Sequence, residues 1–253
     1  IYMIGWIIFS KLIIKNSSKL DEGFSLTLHK RNFKLSAIFL VFFIVTESMM
    51  SWDWIMSIDT HWFSTLFGWF VLASILVSAV TTIALVTIYL KGKGYLEHVN
   101  NSHIHDLAKF MMGFSIFWAY LWFSQFLLIW YSNIPEEVTY YAQRLEDYPV
   151  LFFGTVILNW LLPMLILINS DFKRVNWIVI FAGIIILVGN YINFFVLIMP
   201  GTVGESWFIG ITEICSVLLI SGIFIYTVFS ALAKAPLTVK HSAFLKESKH
   251  FHY

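Results

Sequence analysis

Two long apolar runs meet at Trp52-Asp53-Trp54-Ile55-Met56-Ser57-Ile58-Asp59-Thr60-His61-Trp62. The runs cover residues 35–57 and 62–90 and leave almost no room for a loop between them. A transmembrane helix needs about 20 predominantly apolar residues, so each run is long enough to cross a bilayer. Tryptophan favours the boundary between lipid and water. The stretch therefore predicts an acidic turn between two transmembrane helices, held at one membrane surface.

The composition of the whole chain is that of a membrane protein. Of its 253 residues, 59% are hydrophobic and 12% are charged, whereas about 25% of the residues in a soluble domain are charged. Six apolar runs are long enough to span, near residues 35–57, 62–90, 107–132, 149–169, 175–199 and 208–233. We predict an all-α fold, a polytopic transmembrane helix bundle over residues 1–234, followed by a polar, extended cytoplasmic tail over residues 235–253.

A seventh apolar run covers residues 1–14. It has no initiator Met, no charged segment before the apolar residues and no small-residue cleavage site, so it is not a signal peptide. We expect it to be the end of a helix whose beginning precedes this sequence. The bundle then contains six full spanning helices and one partial helix.

The basic residues indicate the orientation of the bundle. If each run spans once, all but one of the 16 Lys and Arg residues fall on one side. The positive-inside rule makes that side cytoplasmic. The Trp-rich turn and the loops near residues 133–148 and 200–207 then face outward, and Arg144 is the single exception on that side.

The outward loop 133–148 has the pattern of a short amphipathic helix. Pro135 and the following glutamates suit a helix start, and Val138, Tyr141 and Leu145 recur at helical spacing. This segment is either a solvated surface element or a docking surface for an extrinsic partner.

Several kinds of chemistry are excluded by the sequence. No histidine falls within a predicted span, and His61 lies only at a helix mouth, so the chain cannot hold a haem between two buried histidines. Cys215 is the only cysteine, whereas an iron–sulfur cluster needs several. No nucleotide-binding or hydrolase motif occurs. We therefore expect no metal and no cofactor on this chain, and its net charge of +1 gives no indication of nucleic-acid binding.

A few protonatable groups remain at membrane depth. Glu47 lies near the midplane of its run, Glu213 about six residues into the last run, and Asp53 near the outer end of the helix that carries Glu47. Carboxyl groups at such depths are costly and usually functional. Glu47, Asp53 and Glu213 are therefore candidates for a proton path. Helical spacing places Glu47 and Asp53 on adjacent stripes, so a relay between them needs water or another helix.

Small polar residues on the other predicted helices favour a packing role. Ser, Thr and Asn side chains commonly join membrane helices through hydrogen bonds. The residues concerned include Ser74, Ser78, Thr81, Thr82, Thr155, Asn159, Asn190 and Asn193.

Two long motifs resemble a known family. The first is SWDWIMS at residues 51–57 followed by THWFSTLFG at residues 60–68. The second is FWAY at residues 117–120, with Ser124-Gln125 and LIWYSNIPEE at residues 128–137. These motifs are similar to those of the NrfD-like membrane subunits of alternative complex III, and most similar to the ActF subunits. The resemblance covers about residues 30–235.

The resemblance implies a place in a bacterial quinol:cytochrome c, or quinol:electron-acceptor, oxidoreductase of the inner membrane. Haem c and iron–sulfur clusters then belong to partner subunits, and the quinol site to the sister NrfD-like subunit. The implied partners are that sister subunit, the iron–sulfur and haem c subunits, cytochrome c oxidase and lipids. This chain is then a non-catalytic scaffold with a proton-conducting path, and Glu47, Asp53 and Glu213 fit that path by position.

Two other functions stay open. The chain could bind quinol directly, with Asp53, Asp59 or His61 accepting its protons. Trp52, Trp54 and Trp62 would then line the ring, although the same tryptophans suit an interfacial belt. It could also be a stand-alone secondary transporter. The absence of paired helices broken by Gly or Pro argues against that function.

Overall fold

A computed structural model describes residues 2–234, 236–237, 240–241 and 244–252. Within these residues all regular secondary structure is helical, and six helices are long and apolar enough to cross a membrane. The helices are α1 Tyr2–Glu22, α2 Leu26–Trp54, α3 Phe67–Gly92, α4 Asn101–Ser132, α5 Pro135–Asp147, α6 Pro149–Val156, α7 Leu162–Leu167, α8 Asn176–Val203, α9 Ile211–Ala233 and α10 Leu245–Lys249. The prediction of an all-α, multi-pass transmembrane bundle is confirmed.

Two spanning helices begin earlier than predicted. Helix α2 starts at Leu26 and α4 at Asn101, because in both helices the apolar stretch is preceded by helical turns that contain polar residues. The side chain of Asn100 accepts hydrogen bonds from the backbone N–H groups of Ser102 (2.9 Å) and His103 (3.1 Å). Such a cap satisfies donors that the first helical turn otherwise leaves without partners. The helical path therefore extends beyond what hydropathy alone indicates.

One compact unit contains Met3–Leu40 and Ser206–His250, and thus α1, the first part of α2, α9 and α10. Helix α1 continues to Glu22, well past the apolar run 1–14, and is not among the six helices that could span. Helix α10 forms one turn within the tail that was predicted to be extended. Other positions of that predicted tail, residues 235, 238, 239, 242, 243 and 253, lie outside the described residues.

The second unit consists mainly of Val41–Glu205. Helix α3 packs against α4 and α8, and α8 also packs against the span Pro149–Leu167. At one end of this unit the core is aliphatic, with buried residues such as Val77, Met111 and Ile186. At the other end it is largely aromatic and includes residues from α5.

The span Pro149–Leu167 contains a π-helical turn at Ile157–Leu161. Pro163 is the second residue after this turn, at the start of α7. Proline has no N–H, and its ring clashes with the carbonyl group four residues earlier. The wider turn accommodates that clash, and it places Asn159 in the interior of the unit, where its side chain is 0% exposed.

The amphipathic helix predicted for the loop 133–148 is present as α5. Pro135 occupies its first turn together with Glu136 and Glu137, in agreement with the predicted start. Its inner face is deeply buried in the aromatic end of the second unit. Helix α5 is therefore a packed part of the fold and not a solvated loop.

Candidate functional site

Glu47 is completely buried in α2, at 0% exposure. Neither of its carboxyl oxygens has a hydrogen-bond partner among the described residues. The neighbouring hydroxyl groups are engaged elsewhere, since Thr46 donates to the carbonyl oxygen of Phe42 (2.7 Å) and Ser51 to that of Ser48 (2.7 Å). An unpaired buried carboxylate is very costly, so such a group either takes up a proton or meets a ligand.

Asp53 does not join Glu47. The buried face of α2 consists of Thr46, Glu47, Met50 and Ser51, while the side chain of Asp53 is exposed. This arrangement agrees with the separate helical stripes expected from their spacing. Within this helix, the two carboxyl groups do not form one site.

Glu213 lies closer to a helix end than predicted. Helix α9 begins at Ile211, so Glu213 is in its first turn and not about six residues inside it. Its Oε2 accepts a hydrogen bond from the backbone N–H of Gly210 (2.8 Å), the residue that precedes the helix. The predicted depth was wrong because the apolar run includes residues before the helix. Capping and the positive end of the helix dipole account for a carboxylate at this position.

The Trp-rich turn combines exposed and anchored side chains. Trp54 and His61 are exposed, and Asp59 is half-buried. Trp62, in contrast, is only 5% exposed and stacks on the ring of Tyr140, with centroids 3.7 Å apart and planes 11° from parallel. The turn is therefore fixed to α5 by an aromatic contact that the sequence did not predict.

Arg144 completes this stack from the other side. Its guanidinium carbon lies 3.3 Å from the centroid of the Tyr140 ring, and the side chain is 1% exposed. Nη1 donates to the carbonyl oxygen of Tyr140 (2.8 Å) and Nη2 to that of Leu197 (3.2 Å). Nε has no partner among the described residues.

Burial and the neighbouring groups shift the pKa of Arg144 in opposite directions. Burial lowers the pKa of Arg144, whereas Tyr140 and Asp59 act to raise it. Burial likewise raises the pKa of Tyr140. Arginine stays protonated at neutral pH, so the guanidinium of Arg144 is a positive charge enclosed in protein. It makes no ion pair with a carboxylate in the described part of the chain.

A cavity of about 20 Å³ lies beside this guanidinium. The polar residues among those that line it are Gln125, Arg144, Thr155 and Asn193. The remaining lining residues are Phe70, Trp122, Tyr140, Tyr141, Phe152, Val196 and Leu197. The space holds about one water molecule. It is too small for a quinone ring in this conformation.

Other polar side chains are buried in the interior of the second unit. The hydroxyl group of Ser74 accepts hydrogen bonds from Nε1 of Trp118 (3.0 Å) and from Nδ2 of Asn193 (3.2 Å). Further along, the side-chain amides of Asn159 and Asn190 are buried and have no partner among the described residues. The predicted packing role therefore accounts for Ser74 and Asn193 but leaves both other amides without an explanation.

The sequence missed Arg144 as a site residue, although it contained a signal. Arg144 was the one basic residue on the predicted outer side, in a segment with helical periodicity. An isolated charge on a helix with an apolar face is a candidate for burial. Tyr140 lies one helical turn before Arg144, but the burial of Arg144 also depends on contacts with residues more than 50 positions away, which no local pattern reveals.

The histidine prediction needs one correction. His29 lies in α2, and His103 and His105 lie in the first turns of α4, with His105 only 2% exposed. These histidines lie within the helices because both helices start earlier than the apolar runs. Within the described residues, no group of three His, Cys, Asp or Glu side chains could hold a metal ion.

Comparison with models of known protein families gives no match for this chain. Comparison with curated protein sequences gives no match either.

Proposed function

We propose that this chain is a membrane subunit of a quinol:cytochrome c, or quinol:electron-acceptor, oxidoreductase of the alternative complex III type. It acts as a scaffold with a proton-conducting path, and the sister membrane subunit oxidises the quinol. The chain lies in a bacterial inner membrane with its basic loops and tail on the cytoplasmic side. The resemblance of the two motifs to NrfD-like subunits supports this assignment, and Glu47 supports the part that concerns protons.

The observation that carries the proton path is the isolation of Glu47. A carboxyl group at 0% exposure without a hydrogen-bond partner is stable mainly in its neutral form. A group that is neutral when isolated, and charged when water or a partner reaches it, can accept and release a proton. Asp53 and Glu213 have less support, since one is exposed and the other caps a helix.

The test is Glu47→Gln in the intact complex. The amide has nearly the same shape but cannot be ionised, so we expect normal assembly and a lower number of protons taken up per electron. The matched control is Glu97→Gln, since Glu97 is exposed in the loop between α3 and α4. Proton uptake would be measured with a pH-sensitive dye in vesicles during quinol oxidation. An unchanged proton-to-electron ratio in Glu47→Gln would exclude the relay.

A direct quinol site at the outer turn is the second candidate. Asp53, Trp54 and His61 are exposed on this turn and thus accessible to a ligand from the membrane boundary, with Asp59 half-buried beside them. Trp62 cannot serve as a wall for the ring, because it is stacked on Tyr140. If this candidate is right, substitutions at the exposed positions change the quinol KM without a loss of stability.

A further inference from the structure

Arg144 is a buried cation whose charge is only partly matched. A guanidinium has five N–H donors. The described contacts of Arg144 are two carbonyl oxygens and the face of one ring, and its Nε–H has no partner among the described residues. Taking a charge out of water is expensive unless an opposite charge or further hydrogen bonds replace the hydration.

The cavity beside Arg144 offers space for the missing partner. Arg144 and Gln125 are among the residues that line it, and no acidic residue contributes to its lining. Asp59 is near enough for its charge to favour the protonated guanidinium, but it is not among the residues that line the cavity. The positive charge of Arg144 and the absence of an acidic residue from the lining favour an occupant that carries negative charge.

The size of the cavity limits what that occupant can be. A volume of about 20 Å³ accepts a particle about as large as one water molecule. Phosphate groups, carboxylic acids and quinone rings are larger. A halide ion has the required size and charge, and it accepts hydrogen bonds from several donors at once.

We propose that this cavity is a binding site for a single halide ion, held by Arg144 and Gln125. The ion is the counter-charge that allows Arg144 to remain buried between Tyr140 and the carbonyl oxygen of Leu197. It thereby secures α5, and through Tyr140 the Trp62 turn, on the second unit. The site does not involve Glu47, so a test of this site is independent of a test of the proton path.

The experiment compares anions at equal ionic strength. The protein, purified in detergent with the subunits that accompany it, is heated in sodium chloride, sodium bromide or sodium gluconate. We expect an unfolding temperature about 5 °C higher in the halides than in gluconate, because a ligand that binds only the folded state stabilises it. Anions also act on protein surfaces in general, so the decisive readout is the loss of this difference in Arg144→Gln.

The control variant is Arg174→Gln, which removes an exposed arginine and should keep the difference between anions. If Arg144→Gln does not fold, anomalous X-ray scattering from bromide in the unchanged protein locates the ion directly. Bromide density beside Arg144 supports the site. Equal unfolding temperatures in all three salts, a difference that persists in Arg144→Gln, or a bromide-free cavity would show that the cavity holds only water.

Discussion

Trp62, Tyr140 and Arg144 form a continuous stack of one indole, one phenol and one guanidinium. Two parallel rings in close contact bury a large apolar area, and the cation on the far face adds an electrostatic contribution. The sequence predicted Trp62 as a residue at the membrane boundary or as a wall of a quinol site. The structure gives it a second role as the link between the turn and α5.

Replacement of Trp62 by alanine should destabilise the protein strongly. Removing a buried Trp side chain costs about 3–5 kcal/mol. Trp54→Ala is the matched control, because Trp54 is 51% exposed, and we expect a change within about 0.5 kcal/mol. Thermal unfolding in detergent measures both. A similar loss of stability in the two variants would contradict the stack. If Trp54→Ala instead has normal stability and a raised quinol KM, the result favours the outer quinol site.

At the scale of elements, α8 and the π-helical turn are in very close contact. A Cβ atom at Gly189 would lie 2.7 Å from Cβ of Leu158 and 2.9 Å from Oδ1 of Asn159. The first of these atoms is fixed to the backbone and cannot move aside without shifting the helix. Only glycine permits this approach, which holds Asn159 against α8.

Gly189→Ala should therefore destabilise the second unit, by about 1–3 kcal/mol, through overpacking. Gly113→Ala is the control, since the same methyl group on α4 meets nothing within 4 Å. There we expect no loss or a gain of up to about 1 kcal/mol, because alanine favours the helix. The unfolding temperatures of the two variants should move in opposite directions. If Gly189→Ala unfolds at the same temperature as the unchanged protein, the helices are not packed this closely.

At the scale of the whole molecule, the long apolar runs predicted the six spans because burial of backbone groups in lipid requires helices of that length. The start of α5 was also predictable, since Pro135 and the glutamates after it act locally. The early start of α4 was not predictable, because Asn100 caps a first helical turn whose polar residues hydropathy assigns to a loop. The sequence predicted Glu47 as a site residue from its depth in the span. It did not predict Arg144, because the burial of Arg144 depends on residues distant in the sequence.

The alternation of the loops across the membrane gives a direct test of topology. In a Cys215→Ser background, one variant carries a cysteine in place of Glu97 and a second variant carries a cysteine in place of Glu136. Both positions are exposed and lie beyond opposite ends of α4. A membrane-impermeant maleimide should label the cysteine at position 97 only from the cytoplasmic side and that at position 136 only from the outside. Labelling of both after detergent treatment is the control. Reaction from one side alone would mean that α4 does not cross the membrane, and a reversed pattern would overturn the orientation.

The hydrogen bonds of Ser74 limit where charge can travel. Its hydroxyl group donates to the carbonyl oxygen of Phe70 (3.1 Å) and accepts from Trp118 and Asn193. A hydroxyl passes a proton along only if it can turn and exchange its partners, and this one has its donor and both acceptor positions occupied. In this arrangement Ser74 therefore does not pass a proton between its neighbours. The polar contact that joins α3, α4 and α8 at this serine thus holds the helices together without serving as a step in a proton route.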